Sequence, residues 1–304
     1  MGRYARKKAP HAIYHIIIKS VKDRLLFNCD DDKNMFMIKL KESQLKYPFK
    51  LYAFCLMDNH AHLLIDSQNQ DISVIMKSLN LRYVKFYNKK YDLDSRLCKE
   101  RFKSEMITTD EYLINASMYI HRNPKDLPGF LERPQDYVFS SMRVYLGGKD
   151  EFDVLDVDMI LEIMCKNKRK ARKEYKEVFE ATMNQQISNF KDIKLKFKIK
   201  DEKFTNEKGI LKPELSIKEI TNFVAKGENL NPNEIFIKNR SRNQNARAMI
   251  SLLATALCGK TCKEIAAILG NLTSSRVSQL GNKAIELVLT NNKYKMLFEK
   301  FINF

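Results

Sequence analysis

Short apolar runs alternate along the chain with longer stretches in which apolar residues return every three or four positions, and this alternation predicts its elements. Ile13-Tyr14-His15-Ile16-Ile17-Ile18 is a continuous β-rich run, the pattern of a buried strand. Residues 30–46 read as a helix: Asp30, Asp31 and Asp32 place negative charge at its start, and Met35, Ile38 and Leu45 recur at helical spacing. A second strand is expected over about 49–57, a turn at Asp58-Asn59, and a third strand through His60 and His62. From Asp71 a longer helix carries Ile72, Ile75, Met76, Leu79, Tyr83 and Phe86 on one face, with Lys77, Arg82, Lys85 and Lys89 on the exposed side. The order strand, helix, strand, tight turn, strand, helix implies an α+β domain, a small antiparallel sheet covered by helices on one face, and not a doubly wound one.

A basic segment, Lys99-Glu100-Arg101-Phe102-Lys103-Ser104, leads into the next helix. The capping box Thr108-x-x-Glu111 marks its start, and Asn123-Pro124 its end, since a residue before proline is pushed out of the helical region. Leu113, Ala116 and Ile120 form an apolar stripe on it, while Tyr112, Asn115, Tyr119 and Asn123 share the other side. Gly147-Gly148-Lys149-Asp150 closes this first domain. Two helical stretches follow, 158–165 and the highly charged 166–184, and then a Lys-rich, weakly patterned segment over 191–208. Helical periodicity returns at Ser216 and includes a strongly apolar helix over 247–258. A short helix over 262–269 then leads through Gly270-Asn271-Leu272 into a longer one over 273–289, the outline of a helix-turn-helix. The expected division is residues 1–147, a helical Lys-rich connector over 148–208, and an all-α domain over 209–304.

Composition narrows the partner. Among 304 residues there are 54 Lys and Arg against 37 Asp and Glu, a formal charge of +17. A surplus of this size favours a polyanion. No apolar run is long enough to span a bilayer, and the first residues hold neither a lipidation motif nor the apolar core of a signal peptide, so nucleic acid is preferred to anionic membrane. The six cysteines contain no Cys-x-x-Cys pair and read as reduced thiols of a cytoplasmic protein.

The candidate chemistry begins at His60-Ala61-His62. Two imidazoles two residues apart on a strand point to the same face, which offers two neutral nitrogen ligands to one divalent ion from a rigid element. The chain holds only five histidines, so the pairing is not diluted. A pair of strand histidines without a metal is the competing reading. On the helix that follows the basic segment, Tyr119 and Tyr112 are rival nucleophiles, and Asn123, one turn beyond Tyr119, offers an amide oxygen as a third ligand for Mg²⁺ or Mn²⁺.

Four stretches together, Leu56-Met57-Asp58-Asn59-His60-Ala61-His62-Leu63-Leu64, Glu100-Arg101-Phe102-Lys103-Ser104, Tyr119-Ile120-His121-Arg122-Asn123-Pro124 and Tyr137-Val138-Phe139-Ser140-Ser141, resemble in order and spacing the REP-associated tyrosine transposases. These are a single-tyrosine branch of the HUH nucleases, and the resemblance covers most of residues 3–147. It implies a ferredoxin-like antiparallel sheet with helices, His60 and His62 as metal ligands, Tyr119 as nucleophile and Asn123 as third ligand. It also implies cleavage of single-stranded DNA near hairpins through a 5′-phosphotyrosine link with a free 3′-hydroxyl, no ATP being consumed. Asp58 and Phe139 depart from the family's usual proline and tryptophan; Asp58 is read as a turn residue rather than an orienter of His60.

A second resemblance spans about 216–290. Arg240-Ser241-Arg242, Ala246-Arg247, Lys263-Glu264-Ile265 and Gly270 look like the DNA-binding domain of the replication initiator DnaA, although Leu272-Thr273-Ser274-Ser275-Arg276-Val277 departs from its base-reading motif. Ser274, Ser275, Arg276 and Gln279, at the start of the second helix of the outline, are candidates for contact with duplex DNA, Arg276 at a phosphate in preference to a guanine edge. Lys77, Arg82, Lys85, Lys89, Lys99, Arg101 and Lys103 are candidates for guiding the single strand. The expectation is thus a DNA nuclease and strand transferase of the bacterial cytoplasm, associated with the nucleoid, either monomer or homodimer. A DNA-binding regulator that no longer cuts is the alternative, and RNA is a third possible substrate.

Overall fold

The computed structural model describes residues 12–94, 96–183, 185, 193, 216–236, 243–270 and 272–302. It divides into two compact units, Met1–Lys41 with Phe49–Gly209, and Glu42–Pro48 with Ile210–Phe304.

The first unit runs β1 (Ile13–Lys19), α1 (Asp30–Lys46), β2 (Lys50–Met57), β3 (His60–Asp66), α2 (Ile72–Lys90), β4 (Lys103–Ile107) and α3 (Asp110–Arg122). Its sheet is antiparallel throughout, in the order β2-β3-β1-β4, the ferredoxin-like arrangement. The two central strands, β1 and β3, are buried on both faces, which is why they read as continuous apolar runs rather than alternating ones. Tyr14, Ile16 and Ile18 with Ala61, Leu63 and Ile65 form one face. Both crossover helices belong on that side by the handedness of such connections, and α1 and α2 share a ring cluster of Phe27, Phe36 and Tyr83 at 5.2–5.6 Å. The other face carries His15, Ile17 and Lys19 opposite Leu64, His62 and His60.

That second face is not open, contrary to the one-sided cover expected from the element order. It lies under α3, whose Tyr119 ring meets His15 and His62. The burial of Ile114, Asn115, Ser117, Met118 and His121, beyond the predicted stripe, shows a helix enclosed on most of its surface. Asn115 is therefore not on Tyr119's accessible side; it is 1% exposed and its Nδ2 donates to the Ile193 carbonyl at 3.2 Å.

Other details differ for local reasons. On α1 the buried apolar residues are Phe36, Met37, Leu40 and the expected Leu45, while Ile38 is exposed, so the apolar face is rotated from the Met35–Ile38 row. On α2 Tyr87 rather than Phe86 is buried, because its hydroxyl reaches the Leu25 carbonyl at 3.1 Å. The cap of α3 is Thr109, whose Oγ1 accepts from Tyr112 N–H at 3.2 Å, one residue after the predicted capping box. Asn123 keeps helical angles despite the following proline, because the chain continues as a 3₁₀ turn over Asn123–Asp126.

The first unit also extends past the Gly147–Gly148 boundary. After α4 (Met142–Tyr145) and α5 (Asp158–Met164), α6 (Lys168–Met183) buries Tyr175. The Tyr175 hydroxyl bonds Ser117 Oγ at 2.9 Å and His121 Nδ1 at 2.7 Å, and its ring stacks on Tyr145 at 4.5 Å. A helix that supplies a core tyrosine to α3 belongs to that core. Most of the Lys-rich segment 191–208, and Arg240-Ser241-Arg242, lie outside the described residues.

The second unit holds α7 (Ile217–Glu228), α8 (Gln244–Cys258), α9 (Cys262–Leu269), α10 (Ser274–Thr290) and α11 (Asn292–Ile302). Capping boxes at Ser216/Glu219 and Thr261/Glu264 start α7 and α9. Gly270, at φ +67°, ends α9 and lets the chain turn into α10, whose Thr273 cap accepts from Arg276 N–H. Ile265, Leu269, Val277 and Leu280 join the core formed with α8, so α9 and α10 are the two limbs of a helix-turn-helix outline. No helix among the described residues is long and apolar enough to cross a membrane.

Candidate functional site

The site is built on the histidine face of the sheet. In the register of β1 and β3, Lys19 stands directly opposite His60 and Ile17 opposite His62, with His15 one position further along the same face. The period-two alternation therefore brings three imidazoles together. The rings of His60 and His62 lie 4.9 Å apart, those of His15 and His62 are stacked at 5.2 Å, and Tyr119 stands edge-on to both His15 and His62 at 5.7 Å. Tyr112 sits two turns earlier on α3, about 10 Å along the axis, and it is Tyr119 whose ring reaches the histidines.

Each imidazole of the pair has one nitrogen engaged. His62 Nδ1 and His15 Nε2 are 2.9 Å apart, and His60 Nδ1 is 2.6 Å from Asn59 Oδ1. Both arrangements leave the Nε2 side of the pair for a ligand, as imidazoles that bind metal require. Burial disfavours the imidazolium form: His15 is lowered to about 4, and His62 and His60 are also lowered, with the Lys19 ammonium adding to the effect on both. Neutral imidazoles at physiological pH are the protonation state a metal ligand needs. Asn123 lies beside this group: its Nδ2 donates to the carbonyls of Tyr119 and Ile120, at 2.8 and 3.3 Å, and its side chain is close enough to His60 to offset part of the lowering by burial. Two neutral imidazoles and an amide oxygen fit a divalent ion of the Mg²⁺ or Mn²⁺ type, with positions left over. Among the described residues no group of three His, Cys, Asp or Glu side chains is arranged to hold a metal.

Two participants were not singled out by sequence reasoning. His15 was visible only as one residue of an apolar strand; its pairing with His62 depends on a register the sequence does not display. Asn59, inside the motif, turns out to orient His60. Asp58 is a turn residue: its carboxylate pairs with Lys33 at 2.8 Å and its carbonyl accepts from Leu26 and Phe27 N–H. Lys33 also lies 5.1 Å from the Phe139 ring.

The basic candidates separate by location. Lys77, Lys85 and Lys89 are exposed on α2, where Arg82 reaches Ser78, and none of the four lines the cleft beside His60. Lys99, Arg101 and Lys103 are exposed around the start of β4, and Lys103 stands opposite Ile17 on the histidine face. An open cleft of about 470 Å³ adjoins His60, with Lys19, Lys22, Arg24, Asn59 and Lys99 along it. In the second unit Ser274, Ser275, Arg276 and Gln279 are all exposed at the start of α10, with Arg276 Nη1 donating to Gln279 Oε1 at 2.9 Å.

Residues 8–123 match the family described as IS200-like transposases. A protein of Haemophilus influenzae assigned as a REP-associated tyrosine transposase is 28% identical over 153 residues, 46% of this chain and 85% of that relative. A solved structure of a REP-associated tyrosine transposase bound to a REP hairpin aligns with 18% identity and a TM-score of 0.41, covering 52% of this chain and 93% of that one.

Proposed function

From the match of residues 8–123 to the IS200-like transposases, we propose a metal-dependent single-stranded DNA endonuclease and strand transferase that acts near hairpins through Tyr119. The observation that carries this reading is the convergence of His60, His62, Asn123 and Tyr119 from two separate elements onto one face of the sheet. His60, His62 and Asn123 would hold Mg²⁺ or Mn²⁺, which when bound polarises the scissile phosphodiester. Tyr119 Oη attacks phosphorus and forms the Oη–P bond. The bond from phosphorus to the 3′-oxygen breaks, the leaving 3′-alkoxide takes up a proton, and the phenolic proton passes to solvent. The 5′-phosphate stays on the tyrosine, so attack by a 3′-hydroxyl on that link rejoins strands without ATP. The reading has Tyr119 act on its own chain's histidines, because its ring stands edge-on to His62 of the same chain at 5.7 Å. The exposed start of α10 would hold duplex DNA.

The test uses 3′-labelled single-stranded oligonucleotides that carry the hairpins flanking the gene, incubated with Mn²⁺ and resolved on a denaturing gel. A labelled band at the protein's size with wild type, lost in Tyr119→Phe and in EDTA, is expected. A band that survives Tyr119→Phe moves the nucleophile to Tyr112. Tight hairpin binding with no adduct under any condition makes the protein a regulator that binds without cutting, and equal adduct yield on a matched RNA widens the substrate.

A further inference from the structure

We propose that the cleft beside His60 is a phosphate-binding channel for the single strand that flanks the scissile phosphate, with Lys19, Lys22, Arg24 and Lys99 as its contacts. This rests on the cleavage reading above and names where the strand next to the cut is held. The cleft is about 470 Å³ and open to solvent rather than enclosed, which suits a strand lying in it better than a sequestered small molecule. Four cations and one carboxylate, Asp23, line it. Lys19 sits across the β1–β3 ladder from His60, within the 4.5–5.5 Å Cβ separation usual for such pairs, so the channel begins at the reacting centre.

The walls are held in place before any ligand arrives. Ser20 N–H and Oγ–H both donate to the Asn59 carbonyl at 3.1 Å, and Val21 N–H donates to the Leu97 carbonyl at 2.9 Å. Leu26 and Phe27 N–H both donate to the Asp58 carbonyl, and Lys99 N–H donates to the Lys19 carbonyl at 3.1 Å. The loop carrying Lys22 and Arg24 is thus tied at one end to the β4 side and at the other to the turn that precedes His60. Cations on a backbone fixed in this way contact phosphates with little ordering cost. Four cations against one carboxylate make the recognition chiefly one of backbone charge.

The experiment compares wild type with Lys22→Ala/Arg24→Ala, and with Lys22→Glu as a second variant, by fluorescence anisotropy on two labelled hairpins, one with single-stranded flanks and one without. Covalent adduct is followed on the same flanked hairpin. Removing two phosphate contacts makes the plot of log affinity against log salt less steep by about 1.4 on the flanked hairpin. The flankless hairpin should bind all three proteins alike, while adduct formation on the flanked hairpin should need a higher DNA concentration in both variants than in wild type. Equal salt slopes for variant and wild type on the flanked hairpin overturn the channel, as does an equal loss on both hairpins, which would be a general charge effect. If wild type forms no adduct at all, the cleavage reading fails, while the anisotropy data still decide whether the channel binds the flank.

Discussion

Replacing His15 by leucine examines the least expected part of the site. His15 is 4% exposed and its Nε2 lies 2.9 Å from His62 Nδ1. For His62 to present Nε2 to a metal, its proton must sit on Nδ1 and be donated to His15, which burial keeps neutral and therefore able to accept. Leucine fills the space and removes the acceptor. Loss of such an orienting partner costs about 10–100-fold in metal affinity or activity, or about 1.4–2.8 kcal/mol. A separate route gives the same range: a donor stranded in a buried site costs about 1–3 kcal/mol. The assay is adduct formation as a function of Mn²⁺ concentration. In His15→Leu the half-saturating Mn²⁺ should rise at least tenfold, and His15→Gln, whose amide oxygen can accept, should recover part of it. Thermal melting of each variant in EDTA separates loss of fold from loss of affinity. An unchanged Mn²⁺ requirement in a folded His15→Leu would refute the orienting role.

Acid should destabilise the fold well above carboxylate pH. His121 is fully buried between Ser141 Oγ and the Tyr175 hydroxyl, both at 2.7 Å, and is lowered to about 3. Between the ordinary histidine value near 6.5 and about 3, the unfolded chain takes up a proton the folded one refuses, so stability falls as pH drops, by up to about 1.4 kcal/mol per unit. His15 and His62 add the same sign; urea midpoints in EDTA at pH 7.5, 6 and 5 that coincide would contradict this. Arg276→Ala should weaken duplex binding alike across sequences and reduce the salt slope by about 0.9, whereas loss confined to one base position would make Arg276 a base reader. If Tyr119 acts on the histidines its ring faces in its own chain, mixing His60→Ala/His62→Ala protein with Tyr119→Phe protein should not restore the adduct; recovery on a gel would show that subunits exchange tyrosines.

Local periodicity and short motifs were enough to mark most elements, the His-x-His strand and the helix of Tyr119 among them, because each is encoded within a few consecutive residues; β4 was missed, its residues being read as a basic segment. The paired alternation of β1 and β3 is a period-two property, and the turn at Asp58-Asn59 suits the residues found there. Errors of the sequence reading arose where a distant neighbour outweighed a local preference. The Thr108 box lost to Thr109, the residue before Pro124 stayed helical because a 3₁₀ turn continues the chain, and the Gly147–Gly148 boundary gave way because Tyr175 completes the core around α3. The sequence by itself determined which residues could be ligands, nucleophile and cation. Only the tertiary structure decided which of them meet. The β1–β3 register sets His15 against His62 and Lys19 against His60, and α3 over the second face carries Tyr119 and Asn123 to them. Register and helix docking are set by contacts between residues tens of positions apart, and no local pattern records them.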